Sequence, residues 1–347
     1  MVSATPIETS AHPARAEAPL VVGTRGSTLA LWQTNWVLDH LRACAPQARY
    51  EVATIKTQGD RTQAANVPLT QLGDKGVFIA ELERALLDGA LDVAVQPMQD
   101  RALAEAERRI DAAVHSLKDL PSTLTDGLTI AAVTEREDPR DALVSRAGLR
   151  LAELPEGAVV ATSSLRRRAQ LLHLRPDLRI VEMRGNVDTR LRKALAADGP
   201  DATILAVAGM KRLGLAEHIT EYLPVETLVP AVGQGALAVE VRAHDLRARR
   251  LVRQLDSPAT RQAITAERTV LATLGGGCQV PLGAHAIVSP DGQALRLLAV
   301  VASPDGRRYA RVERSGPLRR PVALGRQVAR ELLRQGAAEI LREVLAR

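Results

Sequence analysis

The sequence predicts an α/β protein built on doubly wound parallel sheets, followed by a smaller α+β region at its C-terminal end. From about residue 20 to residue 255, apolar β-branched runs alternate with helical patterns, which is typical of parallel sheets. Beyond that point, two SPDG turns separate alternating runs and predict an antiparallel meander. A chain of 347 residues is too long for one hydrophobic core, so two or three domains are expected.

The first elements have the clearest patterns. LVVGTR (20–25) predicts a strand, and STLALWQTNWVLDHLRAC (27–44) predicts a helix capped by Ser27 or Thr28. YEVATIKT (50–57) predicts the next strand, and VFIAELERALLDG (77–89) predicts a helix that ends at its glycine. The further predicted strands are LTIAAVT, GAVVATS, LRIVEMR, DATILAVAG and ALAVEVR. One long amphipathic helix is predicted for residues 322–346.

The charge balance indicates an acidic ligand. The formal net charge is +6, and arginine supplies nearly all of the positive charge. Aromatic residues make up only 2% of the chain, so platforms on which nucleic-acid bases could stack are scarce. Guanidinium groups bind planar anions in a bidentate way, which favours a small carboxylate or phosphate ligand over nucleic acid.

Two cysteines, Cys44 and Cys278, cannot form a disulfide framework, which points to a reducing compartment and a cytoplasmic protein. Residues 1–18 are rich in Ala and Pro and lack the apolar run of a signal peptide, so we expect a disordered tail. No stretch approaches the roughly 20 apolar residues of a membrane helix. We therefore expect no membrane partner.

Polar clusters follow several of the predicted strands, where ligands bind in doubly wound sheets. HSLKDLP (115–121) carries Lys118 beside Asp119, and a partly desolvated carboxylate there could stabilise a cationic intermediate. An exposed charged turn is the alternative. TSSLRRR (162–168) could bind anions through backbone N–H groups and arginines, or could simply be a capped helix with a solvated basic face. MRGN (183–186) follows another strand of the same region.

LGGGCQVPLG (274–283) places Cys278 directly after three glycines, which would let the backbone approach another group closely. No second cysteine or close histidine pair accompanies it, so a metal site is not expected. Spacing supplies no compelling histidine partner for papain-like catalysis either. A plain turn and covalent attachment of a group to the thiol both remain open.

A local repeat precedes the HSLKDLP motif. DVAVQPMQD (92–100) is echoed nineteen residues later by DAAVHSLKD (111–119), and only the second copy contains the histidine, serine and lysine. Two strand candidates, LDVAV (91–95) and IDAAV (110–114), therefore compete for one place. We expect IDAAV to take it, because it delivers Lys118 and Asp119 to the strand end.

These segments together resemble the porphobilinogen deaminase family, also called hydroxymethylbilane synthase, from about Leu20 to the C-terminus. Each is a modest signal alone, but eight in the same order are very specific. The segments are TRGSTLALWQ, HSLKDLP, EREDPRDALVS, TSSLRRRAQL, RGNVDTRL, ILAVAGMKRLGL, VPAVGQGALAVE and ERTVLATLGGGCQVPLG.

The resemblance implies a transferase (EC 2.5.1.61) that joins four porphobilinogen molecules head to tail into linear hydroxymethylbilane, with release of ammonia, in tetrapyrrole biosynthesis. It implies a dipyrromethane cofactor bound by a thioether to Cys278 and an essential catalytic aspartate at Asp119. A fixed carboxylate can stabilise the positive charge that develops on the pyrrole. A monomer is the family expectation, with no nucleic-acid partner and no metal.

Every pyrrole ring carries an acetate and a propionate, so the resemblance assigns anion binding to a set of hydroxyl and basic residues. The residues expected to bind the cofactor besides Cys278 are Ser116, Lys118, Thr162, Ser163, Ser164, Arg166, Arg167, Arg184 and Gly185. Those expected to bind substrate are Arg25, Ser27, Arg190 and Gln234.

The family fold implies two doubly wound domains, like those of periplasmic binding proteins, flanking a cleft. The expected division is domain 1 from residues 19–135 and 235–253, including the duplicated segment 92–119, domain 2 from 138–230, and a cofactor-attachment domain from 256–347. EREDPRD (135–141) and the segment around VPAVGQG would be the two crossings.

The chain departs from the family pattern in two places. Asp74 in GDKG (73–76) stands where a second glycine is usual, and the duplication lies directly ahead of the catalytic motif. If LDVAV took the strand position, a catalytically impaired homologue that binds small polyanions would be the alternative function. A regulator drawn to nucleic acid by its basic charge is a further rival reading.

Overall fold

The computed structural model describes residues 18–55, 57, 79–88, 110–276 and 280–345. Over these ranges the strands are β1 Leu20–Arg25, β2 Tyr50–Ile55, β3 Ala112–Ser116, β4 Leu128–Val133, β5 Asp141–Ser145, β6 Val159–Ala161, β7 Arg179–Val181, β8 Ala202–Ala206, β9 Glu221–Leu223, β10 Leu237–Arg242, β11 Leu282–Val288, β12 Ala294–Ala302 and β13 Tyr309–Pro317. The α-helices are α1 Thr28–Cys44, α2 Ala80–Asp88, α3 Leu165–Leu174, α4 Val187–Leu195, α5 Val207–Arg212, α6 Leu246–Val252, α7 Pro258–Thr273, α8 Pro321–Arg334 and α9 Ala337–Leu345.

The first sheet has the order β2-β1-β3-β10-β4 within the described chain. β1 pairs in parallel with β2 and β3, whereas β10 runs antiparallel between β3 and β4. Helix α1 packs its buried face, including Val37, Leu38 and Leu41, against this sheet. Its N-terminus is capped by Ser27, whose side chain accepts a hydrogen bond from the Ala30 N–H.

The second sheet has the equivalent order β7-β6-β8-β5-β9, again as far as the chain is described. β6 pairs in parallel with β7 and β8, and β5 is the antiparallel strand between β8 and β9. The chain passes from the first sheet to the second between β4 and β5, and returns between β9 and β10. In each sheet, the antiparallel strand is the one that directly follows a crossing: β5 follows the first crossing, and β10 follows the return crossing.

A three-stranded antiparallel sheet, β11-β12-β13, follows, with the two SPDG segments at its turns. Helices α7 and α8 cover it around a core that includes Val270, Leu297 and Val328. The second turn contacts helix α3, because the Arg168 Nε donates to the Pro304 carbonyl at 3.3 Å. The predicted fold class, two doubly wound sheets plus a smaller C-terminal antiparallel sheet, is confirmed.

Four details differ from the sequence prediction. The predicted helix over 322–346 is two helices, because Gly336 adopts a φ of +92°, a left-handed conformation that ends α8. The predicted strand DATILAVAG ends at Ala206, and its last residues begin α5. The short strands β5 and β9 were not predicted as strands, since their antiparallel pairing depends on partners distant in sequence.

The competition between the two repeat copies has a definite result in the described chain. β3 forms from the second copy and pairs with both β1 and β10, so the predicted preference for IDAAV is confirmed. Asp111, just before β3, accepts hydrogen bonds from the Val21 N–H at 2.9 Å and the Arg242 Nη2 at 2.8 Å. Further along β3, the buried His115 lies 3.1 Å from the Glu240 carboxylate of β10. The first copy lies outside the described residues.

Candidate active site

A small cavity of about 70 Å³ lies where the two five-stranded sheets and their crossings meet. Helix α1 and the end of β3 line it on one side, and α3, α4 and α5 line it on the other. Residues of the return crossing complete the wall. Its polar lining residues are Gln33, Ser116, Lys118, Arg167, Arg190, Arg212 and Gln234.

The end of β3 supplies the lysine and the aspartate of the HSLKDLP motif. After Ser116 the chain makes a single 3-10 turn over Leu117–Asp119, which is anchored by the buried Leu117. The Leu117 N–H donates to the Ala236 carbonyl of the return crossing at 3.0 Å. Because this turn is tied down at its first residue, Lys118 and Asp119 are held half-buried at the strand end.

The electrostatics of Lys118 suit anion binding. The pKa of its ammonium group is lowered to about 8, mainly by burial; Asp119 raises the pKa, and the nearby Arg167 lowers it. Most of the lysine is therefore still cationic at neutral pH. Asp119 lies within electrostatic range of both Lys118 and Arg190, so the carboxylate stands among the cations of the cavity.

Arg166 and Arg167 begin helix α3, and both pair with the fully buried Asp141 at the start of β5. The Arg167 Nη2 lies 2.6 Å from the Asp141 Oδ1, and the Arg166 Nη1 lies 2.8 Å from the Oδ2. Burial raises the pKa of Asp141, but the two guanidinium groups lower it more, and the pKa stays well below its usual range. Arg167 lines the cavity, whereas Arg166 donates to the Val229 carbonyl.

The hydroxyl groups of TSSLRRR bond locally. Ser164 caps α3 and accepts from the Arg167 N–H at 3.4 Å, while Thr162 Oγ1 accepts from the Ser164 N–H at 3.2 Å. The Ser163 hydroxyl donates to the Met183 carbonyl at 2.9 Å, which ties the loop after β6 to the loop after β7. In the described structure these three hydroxyls therefore shape the loop behind Arg167.

The loop after β7 brings in the other arginines. Gly185 has a φ of +120°, and a Cβ there would stand 3.0 Å from the Thr189 side chain, so the loop is fitted to glycine before α4 begins. Arg190 reaches the cavity from α4, and burial lowers its pKa to about 10. Its Nε has no hydrogen-bond acceptor among the described residues. The Nε of Arg184 lies 3.8 Å from the Glu182 carboxylate.

The structure gathers only part of the predicted site into the cavity wall. Ser116, Lys118, Arg167, Arg190 and Gln234 line it, with Asp119 next to Lys118. The other predicted residues do not belong to this lining within the described chain: Arg25, Ser27, Thr162, Ser163, Ser164, Arg166, Arg184 and Gly185. Cys278 and the GDKG loop lie outside the described residues, so the predictions made for them stay predictions.

The sequence analysis missed three residues that shape the site. Gln33 exchanges hydrogen bonds of 2.8 and 3.2 Å with Ser116, and it lies one turn beyond Leu29 on the cavity face of α1. Arg212, whose pKa burial lowers to about 10, donates to the Gly235 carbonyl at 2.7 Å. Asp141 stands in the predicted crossing, but nothing local in the sequence indicates its two arginine partners.

Two further properties concern the described residues alone. They contain no helix of the length and apolarity that a membrane crossing requires. Among these residues, we also find no group of three or more His, Cys, Asp or Glu side chains that could hold a metal ion.

Fold and site define an α/β protein whose two similar sheets enclose an arginine- and lysine-lined cavity, suited to a ligand with several carboxylate groups. The chain matches the family model "Porphobilinogen deaminase, dipyromethane cofactor binding domain" over residues 20–107 and 100–250. It matches "Porphobilinogen deaminase, C-terminal domain" over residues 261–334. The chain therefore belongs to the porphobilinogen deaminase family and is an enzyme of that family.

Similar proteins agree with the family models. The chain is 51% identical to porphobilinogen deaminase of Desulforudis audaxviator, covering 94% of this chain and 98% of that protein. It is 48% identical to porphobilinogen deaminase of Brevibacillus brevis, over 93% and 97% of the two chains. Among solved structures, the benzoate-bound effector binding domain of BenM matches with a TM-score of 0.39 and 16% identity, over 69% and 92% of the chains.

The side chains that line the cavity match the charge of the dipyrromethane group of the matched family model. Such a group carries acetate and propionate side chains, and the cavity offers Lys118, Arg167, Arg190 and Arg212 as cationic partners. The Nε of Arg190 is a buried donor without an acceptor in the described chain. A buried donor of this kind is satisfied when an anion binds. The donor set therefore matches the charge of the group.

Proposed function

We propose that this chain is a transferase that condenses four porphobilinogen molecules head to tail into linear hydroxymethylbilane and releases ammonia, the hydroxymethylbilane synthase reaction (EC 2.5.1.61). The observation that carries the proposal is the cavity itself, which is lined by Lys118 from one sheet and by Arg167 and Arg190 from the other, with Asp119 next to Lys118. The porphobilinogen deaminase names of the relatives support it. No observation favours the alternative of an impaired polyanion-binding homologue.

Asp119 is the proposed catalytic residue. Loss of ammonia leaves an electron-poor carbon, and positive charge spreads over the pyrrole ring. A preorganised carboxylate near the ring N–H stabilises that charge more strongly than water does, because the group needs no reorganisation. Lys118 and Arg190 both lie close enough to interact electrostatically with Asp119.

The cations of the cavity are the proposed carboxylate ligands. Arg167, Arg190 and Lys118 orient the acetate and propionate groups, and Ser116 and Gln234 supply neutral hydrogen-bonding partners in the same wall. The anion-binding roles of the remaining predicted residues stand as proposals: Arg25, Ser27, Thr162, Ser163, Ser164, Arg166, Arg184 and Gly185. A large part of the binding energy thus comes from charge-assisted hydrogen bonds.

Cys278 is the proposed attachment point of the dipyrromethane, through a thioether. When bound, the group supplies a pyrrole with a free α-position to which new rings are added. The glycines before Cys278 permit the backbone to pass close to a planar ring without a side-chain clash.

We further propose three domains, with domain 1 from residues 19–135 and 235–253, domain 2 from 138–230, and the cofactor-attachment domain from 256–347. Each proposed domain contains one of the three sheets. The proposed protein is a cytoplasmic monomer of tetrapyrrole biosynthesis that takes porphobilinogen as substrate and does not bind nucleic acid.

The test uses protein produced in cells that make porphobilinogen. Purified protein incubated with porphobilinogen should release ammonia and form hydroxymethylbilane. In acid this product cyclises to a porphyrinogen with loss of water, and an added oxidant such as iodine then converts the porphyrinogen to a porphyrin with strong violet absorbance. Intact mass spectrometry should find a dipyrromethane-sized addition that is absent from Cys278→Ser. Absence of both the addition and the ammonia from the parent protein would reject the proposal.

A further inference from the structure

Asp141 is a buried carboxylate with polar contacts to three different side chains. It is fully buried at the first position of β5, where the first crossing joins the second sheet. Its Oδ1 accepts from the Arg167 Nε at 3.1 Å, from the Arg167 Nη2 at 2.6 Å and from the Gln234 Nε2 at 3.0 Å. Its Oδ2 lies 2.8 Å from the Arg166 Nη1. One carboxylate thus contacts two arginines and the return crossing.

These contacts restrict the direction in which Arg167 can point. Its Nε–H and one hydrogen of Nη2 face Asp141, and one hydrogen of Nη1 is donated to the Ile204 carbonyl at 2.9 Å. One hydrogen on each terminal nitrogen remains, and Arg167 lines the cavity. A planar guanidinium held along one edge presents the other edge in a defined orientation.

Gln234 connects the same carboxylate to both crossings. Its Nε2 donates to Asp141 and to the Pro139 carbonyl at 2.8 Å, and its backbone carbonyl accepts from the Arg136 Nε at 2.8 Å. The position of Asp141 relative to the cavity is therefore set by residues of both crossing segments.

We infer that Asp141 is a positioning residue of the reaction, whose carboxylate orients Arg167 so that its free edge meets a substrate carboxylate in the cavity. The inference rests on the proposed function. Asp141 acts through Arg167 and does not line the cavity in the described structure. Its negative charge opposes anion binding, so its benefit to the substrate comes from orientation alone.

The Asp141→Asn variant distinguishes the two effects, because the loss of charge and the loss of orientation should change the KM in opposite directions. The variant removes one negative charge from the surroundings of the cavity, which by charge alone would lower the KM for porphobilinogen. If Asp141 orients Arg167, the KM rises instead, by about tenfold or more, because an ordered charge-assisted contact is lost. The kcat per molecule of protein that carries the Cys278 addition changes much less. The rise persists at high salt.

The matched control is Asp177→Asn. Asp177 pairs with Arg175, at the other end of helix α3, with an Arg175 Nη2 to Oδ2 distance of 2.6 Å, away from the cavity. The Asp177→Asn variant should leave the KM for porphobilinogen unchanged. Asp141→Glu keeps the charge and should recover part of the lost affinity.

Each outcome of this experiment supports or overturns the inference. A KM for Asp141→Asn that is unchanged, with a rate lowered only in proportion to lost folded protein, means a structural role and overturns it. A lowered KM means a counter-charge role and also overturns it. A folded variant that never acquires the Cys278 addition supports it, because the arginines then fail to hold the anionic group.

If Asp141→Asn does not fold, Asp141→Glu decides: a raised KM supports the inference and a parental KM overturns it. The parent protein separates this inference from the proposed function. If the parent fails to consume porphobilinogen, the proposed function fails. If the parent turns over and Asp141→Asn binds normally, only the positioning role fails.

Discussion

The first and second sheets have the same strand order, yet they contribute different chemistry to the cavity between them. The first contributes Lys118 and Asp119 at the end of β3, half-buried in a short turn. The second contributes Arg166 and Arg167, which are almost fully buried and already paired with Asp141. The carboxylate proposed to act on the reacting groups thus belongs to the first sheet, whereas the carboxylate of the second sheet pairs with two arginines.

The difference shows how two similar sheets can divide one task. A group that must stabilise changing charge has to face the ligand directly, which is the role proposed for Asp119. A group that binds a constant charge gains from being held rigidly, because less conformational entropy is lost on binding. On these proposed roles, the same residue type, aspartate, serves one purpose in the first sheet and another in the second. Four experiments, in order of decreasing effect, test this division.

Asp119→Asn should have the largest effect. Asparagine retains the size of the side chain but removes the charge that would stabilise the cationic transition state, so kcat should fall by at least about 100-fold. Steady-state ammonia release measures the loss, and circular dichroism should be unchanged. Asp177→Asn is the control and should retain parental turnover. If Asp119→Asn kept turnover within a few-fold of the parent, the first sheet would not supply the catalytic carboxylate.

Arg190→Met should weaken substrate binding while it increases the stability of the fold. Arg190 is largely desolvated and its Nε lacks an acceptor in the described chain, so removing the charge should raise the free energy of unfolding by about 1 kcal/mol. The KM should rise about tenfold, because a carboxylate ligand is lost. Urea denaturation and steady-state kinetics measure the two effects.

Arg175→Met is the matched control for that variant. Arg175 pairs with Asp177 and donates to the Leu151 and Leu154 carbonyls, so its loss should lower stability without changing the KM. If Arg190→Met lowered stability in the same way, Arg190 would be a structural residue rather than a binding residue.

The pH dependence of the reaction should identify Lys118. Its pKa of about 8 lies below the usual value, so the cationic, anion-binding form predominates below pH 8 and is lost as the pH rises through 8. The kcat/KM should therefore fall several-fold between pH 7 and pH 9. Lys118→Arg stays charged in this range, and its kcat/KM should fall much less. Parallel profiles for the two proteins would mean that another group titrates.

The sequence could predict the elements whose pattern is local. β1 and α1 have the predicted bounds within a residue or two, because alternation and helical periodicity are carried by neighbouring residues. The prediction of one helix over 322–346 was wrong, because the amphipathic pattern continues across Gly336 whereas the backbone turns there. The short strands β5 and β9 pair with residues far away in sequence.

The sequence could predict which motifs form the site, but not the directions in which their side chains point. HSLKDLP and TSSLRRR identify the two strand ends correctly, but adjacent residues on a helix point about 100° apart. Whether Arg166 or Arg167 faces the cavity depends on how α3 packs in the fold, and their common partner Asp141 lies outside the motif. Gln33 and Arg212 reach the cavity through the packing of α1 and α5, for which no local pattern exists.

Deletion of residues 92–110 should have the smallest effect and tests whether the repeat alters the first sheet. Deletion places Leu91 directly before Asp111, so an apolar residue replaces the buried Ile110 and Asp111 keeps its bonds to β1 and Arg242. Because β3 already forms from the second copy, kcat/KM should stay within about threefold of the parent, as expected for a tolerated change of connection length. A gain above about tenfold would mean that the first copy competes for the strand position in solution. A comparable loss would assign residues 92–110 a part in turnover, and the catalytic end of the first sheet would then depend on both copies.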